Sequence, residues 1–250
     1  MTVFAFLGPT LPAARAREIL EVEVLPPARA GDLCALLHGE RKVSAVALVD
    51  GLFQQTPAIW HKEILFALSR GISVYGSSSM GALRAAELHA FGMIGVGRVF
   101  EAYLSLAYED DDEVAVVHGE GEHGFVPLSD PMVNLRHGLA AAREANVIAA
   151  ATEEVLSALA KSWFYPDRSW RRIFAEAAAH GVPAVEVAAL RGFVETTKPD
   201  RKRDDAVLLF ERIARDQRDG FARERVSFDF EPTKYWEALV AAVVPPKLPR

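Results

Sequence analysis

A single cysteine, Cys34, stands in 250 residues. That excludes an intrachain disulfide and a multi-cysteine metal site. Cys34 lies in the apolar run 33–37 and reads as a small buried hydrophobe. Long apolar runs are missing too, and no window approaches the roughly 20 residues of a membrane span. The opening MTVFAFLGPTLP has no charged n-region and too short an apolar run for a signal peptide. A cytoplasmic location with no membrane partner is therefore expected. Positive charge is in deficit, with 28 Lys and Arg against 34 Asp and Glu and a net charge of −6. This disfavours non-specific nucleic-acid binding. Neither a GxGxxG pattern nor a P-loop lysine follows the first apolar run, so the turn Gly8-Pro9-Thr10 makes a poor nucleotide loop. His118 and His123 flank glycines without zinc spacing. No internal repeat is visible.

Half of the residues are hydrophobic, enough for a folded core. Short β-branched or aromatic runs at 2–7, 22–25, 43–49 and 72–75 read as strands. Helical patterns separate them. The run VSAVALV at 43–49 is nearly all apolar, as in a parallel strand covered on both faces. Thr56-Pro57 reads as a helix start, with the helix running to Arg70 and Gly71 behind it. The stretch 43–75 is then a right-handed βαβ unit. Beyond residue 98 come a helix at 99–107, the acidic run Tyr108–Glu113, a strand at 114–118, and alanine-rich helical segments from 133 onward. The acidic run reads as a solvated turn, a protein-binding face or, less readily, a metal site. The charged segment 198–205 reads as a solvated loop or a docking site. The expected fold is α/β: a parallel-sheet core over 1–135 and a mainly helical C-terminal region over 136–250.

The stretch ISVYGSSSMGALRAAELHAF at 72–91 is the most informative. Strand, small-residue turn and helix together lift a side chain off a sheet edge and aim free helix N–H groups at one spot. Ser77, Ser78 and Ser79 lie in that turn. Ser79 takes the nucleophile place of a small-residue elbow, with Ser77 where the first glycine usually stands. The competing reading is a serine turn that only caps a helix.

In a parallel pair, the start of the 57–70 helix and the serine turn share one sheet edge, where open α/β sheets place their sites. His61-Lys62-Glu63 interrupts that otherwise apolar helix. Lys62 has Ile59, Leu65 and Phe66 as helical neighbours. An amine in apolar surroundings loses its charge readily and serves as a general base. The alternative is a lysine snorkelling off the helix. His61 and Glu63 are rival polar candidates.

Several ordered blocks, Val49-Asp50-Gly51, HKEIL at 61–65, GSSSMGALRAAEL at 76–88, EDDDEVAV and SDPMVN at 129–134, resemble the TfuA-like proteins. FLGPTLP near the start fits as well. The resemblance implies work beside a YcaO enzyme in peptide backbone thioamidation. The implied chemistry is hydrolysis of a thiocarboxylate on a ThiS-like ubiquitin-fold sulfur carrier by a Ser–Lys pair. Lys62 matches the lysine, and Ser79 or Ser78 the serine, Ser79 being preferred. Ser77 departs from the alanine expected there. Ser77, Met80, Gly81, Arg84, Asp50 and Gly51 form the expected substrate-binding set. N–H groups around Met80 and Gly81 are the expected oxyanion donors. Arg84 is expected either to hold the carrier tail or to pair with Glu87. A precursor peptide is a further possible partner, and no cofactor or metal is expected. Two alternatives stand beside this reading: a non-catalytic adaptor for YcaO, and an unrelated phosphate-binding α/β protein.

Overall fold

A computed structural model describes residues 2–52, 56–119, 125–221 and 228–244. The chain divides into two compact units: Met1–Ala107 with Arg203–Arg250, and Tyr108–Lys202. His123 and the prolines at 245 and 246 lie outside the described residues.

The first unit is built on five parallel strands: β1 (Thr2–Phe6), β2 (Glu23–Leu25), β3 (Val43–Leu48), β4 (Ser73–Ser77) and β5 (Ile94–Val96). They lie in the order β2-β1-β3-β4-β5. That order places the topological switch point between β1 and β3. Between the strands run α1 (Ala13–Ile19), α2 (Asp32–His38), α3 (His61–Ser69) and α4 (Met80–Leu88), and α5 (Arg98–Leu104) follows β5. The strands expected at 2–7, 22–25, 43–49 and 72–75 are present. The addition is β5, which lies among Gly92, Gly95 and Gly97. A Cβ on Gly95 would come within 2.1 Å of the Phe100 ring, so this three-residue strand needs a glycine where helix α5 turns back on it.

Alternation sorts the strands onto two faces. Val3, Ala5, Leu7, Ala45, Ala47, Val49 and Tyr75 bury against α1 and against Ala206, Leu209, Phe210 and Ile213. The last four belong to a helix that arrives late, α10 (Arg201–Asp219). Tyr75 ties to it through a 2.8 Å hydrogen bond donated to Asp216. On the opposite face Phe4, Phe6, Val46, Leu48 and Val74 are fully or almost fully buried.

Helix α3 begins at His61, not at Pro57. The cause is Glu63, which is completely buried. Its carboxylate accepts the Trp60 N–H and, from α2, the Gly31 and Cys34 N–H groups, each at 3.0 Å. One side chain thus caps two helices. Burial pushes its pKa above the usual carboxylate range, and the three amides only partly oppose that. Burial, then the Glu63 charge, pushes the Cys34 thiol up to about 11, so Cys34 is an inert core residue.

The second unit packs α6 (Met132–Glu144), α7 (Ala150–Ser162), α8 (Trp170–Glu176) and α9 (Ala184–Thr197) around Leu135, Leu139, Leu156, Ile173 and Leu190. The expected strand at 114–118 is absent. Just before it Asp111–Glu113 forms a 3-10 turn, and within 114–118 only His118 pairs, in an isolated bridge to Pro127. Nor is the acidic run solvated throughout. Glu113 is 3% exposed and takes two hydrogen bonds from Arg136, at 2.9 and 3.0 Å. Asp112 pairs with Lys161 and with the buried Arg168. The segment 198–205 is loop only over 198–200, and from Arg201 it is helix. Lys202 is buried, and its Nζ donates to the Val114 carbonyl at 3.2 Å. Lys234–Val243 forms a last helix, α11, within the first unit.

Two outcomes are expected. Phe210→Ala, which removes a fully buried ring from the sheet face, should destabilise the protein by about 3–5 kcal/mol in urea unfolding. The second concerns pH. Partial burial raises the Asp112 carboxyl, but hydrogen bonds and charge from Lys161 and Arg168 outweigh it and hold the pKa below the usual 3.8. A depressed carboxylate stabilises above its unfolded pKa and ceases to do so as pH falls through the folded one. The urea midpoint should therefore fall on acidification below about pH 4, and Asp112→Asn should flatten that fall.

Candidate functional site

The carboxyl ends of β1, β3 and β4 meet at one edge of the sheet. At the switch point Asp50 follows β3. Its carboxylate accepts from the Gly8 N–H at 2.8 Å, the Thr10 N–H at 3.1 Å and the Thr10 hydroxyl at 2.5 Å. The amides that would cradle a phosphate in the first loop already hold an anion from the protein itself. This argues against a phosphate site there. Asp50 acts as a staple for the 8–10 loop, and Gly51 gives room to Met80: a Cβ on Gly51 would lie 2.7 Å from the Met80 Cγ.

The serine turn stands beside this staple, one strand over. Its two glycines explain its sharpness. A Cβ on Gly76 would fall 2.1 Å from the Gly81 carbonyl oxygen, and a Cβ on Gly81 would fall 1.7 Å from that of Leu48. Helix α4 therefore starts in direct backbone contact with β3 and β4. The Gly81 N–H donates to the Val49 carbonyl at 3.1 Å. That commitment corrects the expectation that Gly81 is an oxyanion donor. The Met80 N–H, at the first position of α4, has no hydrogen-bond acceptor among the described residues.

The three serines differ. Ser77 is fully buried and shares its hydroxyl proton between the Val96 carbonyl at 2.7 Å and the Asp205 carbonyl at 3.1 Å. Ser78, also fully buried, donates to the Ser77 hydroxyl at 3.2 Å and has φ of 66°. A left-handed peptide costs a non-glycine residue about 1–2 kcal/mol. Ser79 is 3% exposed, and its N–H bends back to the Ser77 carbonyl at 2.7 Å. It occupies the N-cap position of α4, yet its side chain makes no cap hydrogen bond. The capping-only reading of this turn fails on that point. Among the described residues the Ser79 hydroxyl has no hydrogen-bond partner.

Around the start of α3 the polar triplet splits in three directions. Glu63 turns inward to its caps. His61 Nε2 lies 2.7 Å from Glu87. Glu87 is eight residues, about 12 Å, along α4 from Ser79, so His61 is poorly placed as its base. Burial raises the Glu87 carboxyl, but His61 and Arg84 outweigh it, and its pKa sits below the usual 4.5. Arg84 pairs with Glu87 at 2.6 Å and donates to the Ile59 carbonyl at 3.1 Å, which is the pairing alternative of its two expected roles.

Lys62 departs from α3 on the side opposite the buried Ile64, Ala67 and Leu68. Its Nζ lies 4.7 Å from the centre of the Phe230 ring, in a cluster with Phe66 and Trp236. The structure thus gathers Ser77, Ser78, Ser79, Met80, Asp50 and Gly51 at one edge, while Lys62 is seated on an aromatic ring. Two participants escaped sequence reasoning: the Val96 and Asp205 carbonyls that hold Ser77. Backbone acceptors carry no residue-type signal.

The family model described as TfuA-like protein matches residues 50–169. That span takes in Asp50, the start of α3, the serine turn and the acidic network. A search of curated proteins gave no match.

Gly81→Ala is expected to disrupt the site by driving α4 off the Leu48 carbonyl. A thermal melt should show a clear loss of stability, well beyond the roughly 0.5 kcal/mol typical of exposed surface substitutions.

Proposed function

The chain is a TfuA-like protein over residues 50–169, and from this we propose that it hydrolyses a thiocarboxylated ThiS-like carrier at its serine turn. TfuA-like proteins have an accessory role linked to thioamide formation and are associated in general with YcaO enzymes. The observation that carries the proposal is the Ser79 hydroxyl, a serine at a helix N-cap that caps nothing.

In this reading the Ser79 Oγ attacks the thiocarboxylate carbon. The C–S bond breaks, and sulfide leaves as HS⁻, carrying the proton that the serine gives up. Water then hydrolyses the ester to the carrier carboxylate and frees the serine. The Met80 N–H is the donor for the oxyanion. Lys62 is the base that the family resemblance supplies. To serve, its ammonium gives up the contact with the Phe230 ring, worth about 0.5–1 kcal/mol for a partly exposed cation–π pair, and must also release its proton to solvent before it can take that of Ser79. The sulfide passes to a YcaO enzyme acting on a precursor peptide.

The seat of Lys62 on Phe230 favours a second reading. Here the protein is a non-catalytic adaptor that brings carrier or peptide to YcaO. The two separate in one assay: sulfide release from a thiocarboxylated ThiS-type carrier by wild type, Ser79→Ala and Lys62→Met. The catalytic reading expects Ser79→Ala to lose at least a hundredfold and Lys62→Met to fall with it. Equal release by all three, with YcaO binding kept, leaves the adaptor. Loss with Ser79→Ala alone keeps the serine and requires another base.

A further inference from the structure

We infer that Ser77 is a positioning residue for Ser79: its buried hydroxyl pins the end of β4 so that the strained turn cannot relax into an ordinary helix cap. The inference rests on the catalytic reading of Ser79 above.

The chain contains its own controls. Ser169 begins α8 and Thr233 begins α11. Both are extended, with ψ of 150° and 162°, and their hydroxyls accept the Arg172 N–H at 3.2 Å and the Trp236 N–H at 3.3 Å. Ser79 holds the same position with φ of −131° and ψ of −128°, and its hydroxyl caps nothing. Capping is what a serine does here when its backbone is free to adopt the extended form. Something therefore holds this backbone away from it.

The restraints lie on either side. On the helix side, the Gly81 N–H is fixed to the Val49 carbonyl at 3.1 Å. On the strand side, Ser77 is fixed to the Val96 carbonyl of β5 at 2.7 Å and the Asp205 carbonyl of α10 at 3.1 Å. Only residues 78–80 are left to reverse the chain, and Ser78 does so at φ of 66°. A strained peptide persists only where its surroundings over-determine it. The Ser77 hydroxyl is the side-chain part of that restraint, and Ser78 hydrogen-bonds to it at 3.2 Å. Asp205 is itself fixed, because its Oδ2 accepts the Val99 N–H at 2.8 Å. Without the Ser77 hydroxyl, Ser78 can return to negative φ and Ser79 can turn onto the helix end.

The test is the rate at which a fluorophosphonate labels Ser79, located by peptide mass spectrometry, with melting temperatures measured in parallel. Ser77→Ala should label at least tenfold more slowly than wild type, and Ser77→Thr, which keeps the hydroxyl, should label near the wild-type rate. In a Ser78→Gly background the left-handed peptide carries no strain to release. There Ser77→Ala should change the rate less than threefold. This non-additivity is not expected of a side chain that merely fills space. Equal losses in the two backgrounds, or no loss on Ser77→Ala, would overturn the positioning role while leaving Ser79 as nucleophile. Failure of the wild type to label at Ser79 would instead remove the catalytic reading, and the positioning role with it. Should Ser77→Ala not fold, the Ser77→Thr and Ser77→Val pair, alike in volume, carries the same comparison.

Discussion

Everything at the functional edge follows from how closely α4 approaches the sheet. Backbone meets backbone there: the Gly81 N–H bonds to Val49, and its Cα faces the Leu48 carbonyl with no space for a methyl group. Because the helix begins so near β3, the three residues before it must reverse the chain in very little length. The positive φ of Ser78, the sharp return of the Ser79 N–H and the uncapped Ser79 hydroxyl are all consequences of that contact. Glycine at 76 and 81 therefore limits which side chain can stand at the edge, although neither residue has any chemistry of its own.

The buried polar groups divide into those that build and those that present. Asp50 and Glu63 are both carboxylates at sheet or helix ends, and both are turned to backbone amides of their own chain. Each occupies a donor cluster that would otherwise attract an external anion. In the helical unit the buried cations Lys202 and Arg168 instead donate to backbone carbonyls, and Glu113 accepts from Arg136. With those groups committed, Ser79 and the Met80 N–H are the polar groups that the serine turn leaves open.

Much of the architecture was legible in the sequence because it rests on periodicity. The apolar run at 43–49 announced a doubly covered parallel strand, and the strand–turn–helix around residue 76 was visible from its small residues. What stayed hidden rests on partners distant along the chain. The late start of α3 depends on Glu63 reaching residues 31 and 34. The acidic run at 108–113 looked solvated because its cations, Arg136, Lys161 and Arg168, come from far downstream in the chain. Lys62 was read as an amine among the apolar helix neighbours Ile59, Leu65 and Phe66. Its aromatic partner Phe230 lies 168 positions later, and only the coordinates show which way the side chain turns. Strand β5 was missed because three residues, one of them glycine, give no period to detect.

The late arrival of α10 bears on biosynthesis. One face of the sheet is covered by Ala206, Leu209, Phe210 and Ile213, and residues 108–202 separate them from the strands and helices they complete. At about 5–20 residues per second, the ribosome needs roughly 5–20 seconds to cross that gap. For that interval the nascent sheet has emerged with an apolar face uncovered. Growing chains of this protein should therefore depend on holdase chaperones during translation more than their modest length would suggest.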